Sequence, residues 1–127
     1  MLAPLLAIVL SAHLQPSGSF PITTFGPSGG DIVEHCRQVV KIMRDEKGNE
    51  GDARACLSYL YGFADGGQFG AKGDHKLFPV CFPEGVDGGQ MAKIVVKFGD
   101  DHPEKLSSGS LYIVFNALRD AFPCSAK

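Results

Sequence analysis

Apolar positions recur at three-and-four spacing in four stretches of the chain, and each stretch predicts an amphipathic helix. The first is expected from about Asp31 to Glu46. Ile32, Cys36, Val39 and Met43 share one face, with Val33 and Val40 beside them, Asp31 as N-cap and Gly48 as C-cap. The second follows Asp52 and carries Ala53, Cys56, Leu57, Leu60, Tyr61 and Ala64 until Gly66-Gly67 ends it. Gly62 within that stripe costs roughly 1 kcal/mol against Ala. The third begins at Asp87, whose spacing to Gln90 is that of a capping box, and aligns Met91, Ile94, Val95 and Phe98 before Gly99. The fourth starts near Ser107 or Ser108, aligns Leu111, Val114, Phe115, Leu118 and Phe122, and stops at Pro123. Ile94 to Val96 and Leu111 to Phe115 also have strand-like composition, which keeps an α+β alternative open.

The connections carry their own signals. Gln68 to Val80 reads as a Gly-rich loop holding Lys72, Asp74, His75 and Lys76, long enough to be a functional surface. Phe78-Pro79-Val80-Cys81-Phe82-Pro83 reads as a stiff, extended corner, since two prolines flank the cysteine. Short connections favour antiparallel neighbours, so the expected fold is all-α, a small four- to five-helix bundle.

Composition narrows the class. The chain has 127 residues, 44% of them hydrophobic and 20% charged, which suits one packed domain and argues against disorder. The formal net charge of −2 lacks the basic excess that nucleic acid or an anionic membrane surface would call for.

Leu2 to Leu10 is an apolar run interrupted only by Pro4, shorter than the about twenty residues of a membrane span. It reads as the core of a signal peptide over residues 1–19, cleaved after Ala12 or near Ser19, although no Lys or Arg precedes it. Residues 20–30 read as a flexible leader and residues 31–127 as the mature domain. Export makes Cys36, Cys56, Cys81 and Cys124 a disulfide framework. In an up-down bundle Cys81 and Cys124 lie at one end, which favours Cys81–Cys124 and leaves Cys36–Cys56. A hairpin turning near Asn49 would put Cys36 opposite position 62 instead, so a shorter first helix is required, and Cys36–Cys81 stays open.

The search for catalysis returns little. There is no serine nucleophile elbow, Walker loop, dinucleotide fingerprint or His-Glu-x-x-His. Gly66 to Gly70 resembles a phosphate cradle only in glycine count. A cysteine nucleophile paired with His75 or His35 would need a free thiol. The wide cysteine spacing lacks the close pairs of structural zinc sites, so no metal is expected. Asp100-Asp101 reads as a solvated turn, and Asp65 as an anchor for the Gly-rich loop. No cofactor and no enzymatic activity are expected.

Four ordered motifs carry a resemblance. Cys56-Leu57-Ser58-Tyr59-Leu60-Tyr61-Gly62-Phe63-Ala64-Asp65 is similar to "C-x-G-Y-I-x-G-v-x-D", and Cys81-Phe82-Pro83-Glu84-Gly85-Val86-Asp87-Gly88-Gly89-Gln90 to "C-L-P-x-G-V-T-x-x-Q". Val95-Val96-Lys97-Phe98 with His102-Pro103-Glu104 resembles "V-V-x-Y-L-x-x-H-P-E", and Ala117-Leu118-Arg119-Asp120-Ala121-Phe122-Pro123-Cys124 resembles "A-L-x-x-A-F-P-C". Together, over residues 32 to 124, they resemble the Rap/Tai immunity proteins of type VI secretion systems. Ser58, Leu60, Asp87 and Gly99 depart from the pattern.

The resemblance implies a periplasmic, disulfide-bonded, mostly helical and often dimeric protein that binds and occludes a peptidoglycan amidase effector. A periplasmic stress or chaperone-like protein without a cognate toxin is the alternative. A rigid scaffold with a protruding element suits occlusion. The expected partner-binding residues are Gln68, Phe69, Lys72, Asp74, His75 and Lys76, with the exposed face of the third helix beside them. The positive charge of Lys72, His75 and Lys76 suits an acidic groove.

Overall fold

A computed structural model describes residues 26–125; the expected signal peptide over residues 1–19 and most of the expected leader lie outside the described residues. It contains four α-helices, α1 (Gly29–Met43), α2 (Glu50–Ala71), α3 (Gly88–Asp101) and α4 (Ser110–Ala121), with a short 3-10 turn at Pro103–Lys105. Among the described residues there is no strand. Both strand-like stretches, Ile94 to Val96 and Leu111 to Phe115, are helical, because their neighbours continue a period near 3.6, with Asp87 capping α3.

α1 begins earlier than its apolar pattern suggested. Ser28 is the N-cap: its Oγ accepts from the Asp31 N–H at 3.1 Å, and the Asp31 carboxylate accepts from the Ser28 N–H at 3.2 Å. Asp31 is therefore the third-position partner of a capping box. Its carboxyl is held below the ordinary value, first by the hydrogen bond from the Ser28 hydroxyl. The N–H groups of Gly29 and Gly30 donate to the carbonyls of Ser108 and Leu106 at 2.7 and 2.9 Å, which ties this end of α1 to the start of α4. α2 is capped by Asn49, whose Oδ1 accepts from the Asp52 N–H at 3.0 Å, so Asp52 is inside the helix.

The helix ends also moved. α1 stops at Met43 with Arg44 as C-cap, ahead of Gly48. α3 continues through Gly99 to Asp101. Gly99 is a contact glycine: a Cβ there would meet Val33 of α1 at 2.6 Å, so its bare Cα lets the two helices approach. α4 starts at Ser110, behind the N-cap Gly109.

α1 packs against all three other helices. The core joins Ile32, Val33, Val39 and Val40 to Leu60, Met91, Val95, Phe98, Ile113, Val114, Leu118 and Phe122. Three expected core positions differ: Met43, Tyr61 and Leu111 are exposed, at 48%, 48% and 59%. In α4 the buried stripe runs through Ile113 and Ala117, one step round from the predicted face.

Both disulfides join the favoured pairs. Cys36–Cys56 links α1 to α2 with Cα atoms 5.0 Å apart, and Cys81–Cys124 links the extended corner to the end of α4 with Cα atoms 4.9 Å apart. The register problem is resolved by the earlier end of α1. Cys36 lies seven residues before Met43 and Cys56 six after Glu50, so a turn centred between those ends sets them opposite each other. The covalent rings 36–56 and 81–124 follow one another without overlapping.

Candidate functional site

The C-terminal end of α2 projects as a compact corner. α2 runs through Gly66 and Gly67 and ends only at Ala71, so Gln68 and Phe69 are helical. Two glycines do not stop the helix because Gly67 faces the Phe78 ring, and a Cβ at that position would run into it. The helix propensity lost at Gly67 is set against the packing of Phe78, which is buried and meets Phe63 with ring centroids 5.3 Å apart.

Beyond Ala71 the chain reverses in a tightly bonded turn. Lys72 is the C-cap in the left-handed region at φ 50°, and Gly73 follows at φ 81°. The Asp74 N–H donates to the Ala71 carbonyl at 2.8 Å. The Leu77 and Phe78 N–H groups then donate to the Asp74 carbonyl at 3.0 and 3.1 Å. The Asp74 carboxylate accepts from the Lys76 N–H at 2.9 Å. Asp74 thus anchors the turn, the role expected of Asp65, which sits exposed in mid-helix. Buried Ala71 and Phe78 hold the turn from below.

The outer surface of this corner is apolar at two points and charged between them. Phe69 is 87% exposed and Leu77 71%, with Lys72, Asp74 and Lys76 exposed in the same turn. The remaining candidates, Gln68 and His75, line with Asp74 a cleft of about 330 Å³ that also takes in Ala71, Phe78 and Cys81. His75 Nδ1 stands 3.4 Å from Cys81 Sγ. Leu77 was missed in the sequence. It adjoins Phe78 in an irregular segment, where periodicity cannot tell the buried member of a pair from the exposed one.

The exposed side of α3 joins a different neighbourhood. Lys93, Lys97, Asp100 and Asp101 line a cleft with Val40 and Arg44 of α1. Asp100 and Asp101 lie in the last turn of α3 and are both paired, with Arg37 at 2.7 Å and Lys97 at 2.6 Å. Lys97 is raised above the ordinary lysine value, first by its hydrogen bond to Asp101. A separate apolar groove of about 530 Å³ lies between the end of α1 and the starts of α2 and α3, walled by Ile42, Met43, Leu57 and Tyr61.

No free cysteine is found among the described residues, so the cysteine–histidine nucleophile has no thiol. What the corner offers is shape: exposed side chains on a rigid base.

The family model of the Rap1a immunity proteins matches residues 28–124. No curated protein and no solved structure matches the chain. The match spans all four helices and both disulfides, and the chain belongs to the Rap1a immunity proteins. An immunity protein acts on a toxin effector by binding it.

Proposed function

From membership of the Rap1a immunity proteins, we propose that this protein is exported to the periplasm and binds a peptidoglycan amidase effector of a type VI secretion system, covering its substrate groove. The observation that carries the reading is the pair Phe69 and Leu77, both large, apolar and exposed, on a turn whose backbone is held by Asp74. Interface energy concentrates in a few bulky side chains presented on a preorganised base. Lys72 and Lys76 lie between the two in the chain and suit a groove with acidic character.

The experiment is co-purification of the chain with candidate cell-wall amidases, followed by an amidase assay on peptidoglycan with the chain at rising concentration. Stoichiometric complex formation and loss of turnover are expected. Sedimentation of the complex gives its composition and reads whether the chain pairs with itself. Binding without inhibition would remove groove coverage. Absence of binding to any amidase, with apolar surface exposed on acidification, would move the reading to the chaperone-like alternative.

A further inference from the structure

The two disulfides differ in what governs attack by an external thiol. Cys36 and Cys56 are both 0% exposed, enclosed between α1 and α2. Cys81 and Cys124 are only partly buried. A cleft of about 820 Å³, bounded by Gly73, His75, Lys76, Pro83 and Pro123, opens over them. A small thiol fits there without any helix moving. The second difference is an imidazole. His75 places Nδ1 at 3.4 Å and Nε2 at 3.9 Å from Cys81 Sγ. His75, Cys81 and Cys124 form one cluster whose polar atoms all lie within 4.8 Å of one another.

We propose that Cys81–Cys124 is a thiol-exchange site that accepts a dithiol reductant, with His75 setting which sulfur leaves. Exchange runs through a thiolate attacking one sulfur while the other departs, and the sulfur better stabilised as thiolate departs faster. A neighbouring imidazole N–H favours the thiolate form of the cysteine it faces. Cys81 is therefore the leaving sulfur and Cys124 the one attacked. The reductant's first thiolate bonds to Cys124 Sγ, the sulfur–sulfur bond breaks, and its electron pair departs on Cys81 Sγ, hydrogen-bonded by His75. The reductant's second thiolate then displaces Cys124 and closes the reductant's own disulfide. Two electrons pass to the protein, and the two protons released by the dithiol end on Cys81 and Cys124.

The opened site keeps its place in the fold. The Cys81 N–H donates to the Phe122 carbonyl at 2.9 Å, and the Phe82 and Phe122 rings pack with centroids 5.6 Å apart. The extended corner thus stays docked on the end of α4 by contacts that do not involve sulfur.

The test treats the full folded chain with dithiothreitol under native conditions, quenches with an alkylating agent and maps the labelled cysteines by mass spectrometry. Two labels per chain are expected, on Cys81 and Cys124, with Cys36–Cys56 intact. A monothiol in place of the dithiol should be trapped on Cys124. His75→Ala should slow the second-order rate about tenfold. The amide side chain of His75→Gln should restore part of it. Helical circular dichroism checks that both variants remain folded. Labelling of all four cysteines together, no labelling before unfolding, or a His75→Ala rate equal to that of the parent overturns the proposal.

Discussion

Arg37 of α1 grips Asp100 of α3 with both ends of its guanidinium, Nη2 to Oδ1 at 2.7 Å and Nη1 to Oδ2 at 3.3 Å. The contact is the paired, planar kind that suits arginine and a carboxylate. It also joins residues that no local pattern connects. Asp100 holds Arg37 above its ordinary value, and Arg37 holds Asp100 below the ordinary 3.8, each chiefly through the hydrogen bond.

That pairing contributes to the acid limb of stability. Asp100 and Asp31 both have lowered folded values, so the unfolded chain takes up protons first as pH falls. Their contribution is present above the unfolded value and disappears as pH drops through the folded one. Melting temperature should therefore hold between about pH 7 and pH 5 and fall below about pH 4. Asp100→Asn should flatten the fall. At neutral pH it should cost under about 1 kcal/mol, because the pair is about half exposed and screened by solvent. Calorimetry across pH checks both. A collapse already between pH 6 and 5 would favour the acid-responsive alternative.

Gly62 and Gly67 occupy the same helix but should respond oppositely to alanine. Nothing lies within 4 Å of a Cβ built at Gly62, so Gly62→Ala should stabilise by roughly 1 kcal/mol through helix propensity. At Gly67 the new methyl runs into the Phe78 ring. Overpacking costs about 1–3 kcal/mol, which exceeds the propensity gain, so Gly67→Ala should destabilise. Denaturant unfolding of the two variants gives the signs directly.

Phe69→Ala and Leu77→Asp should separate binding from folding. Both side chains are mostly exposed, so stability should change by no more than about 0.5 kcal/mol. If the corner is the docking element, Phe69→Ala should weaken toxin binding by about 2 kcal/mol, near thirtyfold. Calorimetric titration against the cognate effector reads the affinity, and melting curves read the control.

Removing the disulfides should rank them. Chain entropy alone makes each worth about 3–4 kcal/mol, with Cys81–Cys124 ahead by less than about 1 kcal/mol for its longer ring. Cys36 and Cys56 are fully buried, and their loss leaves a core void that costs a further kcal/mol or more, on the order of the smaller core truncations. The Cys36→Ala/Cys56→Ala variant should therefore melt lower than the Cys81→Ala/Cys124→Ala variant.

Helix existence was legible wherever apolar spacing was strict; the up-down order favoured Cys81–Cys124 and left Cys36–Cys56, whose register only the structure's earlier end of α1 explains. What sequence spacing could not show were decisions made by distant neighbours. Ser28 caps α1 in company with the carbonyls of Leu106 and Ser108. Gly67 stays helical because of Phe78, and Gly99 because of Val33. The candidate corner was read as a Gly-rich loop from Gln68, whereas the chain is helical to Ala71 and the turn beyond it is tied by hydrogen bonds. Its order comes from one carboxylate and one buried ring, neither of which has a periodic signature.

The stretch from Leu57 to Val80 belongs to neither sulfur-closed circuit. Residues can be added to it or removed without altering the size of either circuit, so the entropic advantage that each confers is insulated from whatever happens there. A chain wired in this way can rewrite its exposed corner while the same two closures go on assembling the rest.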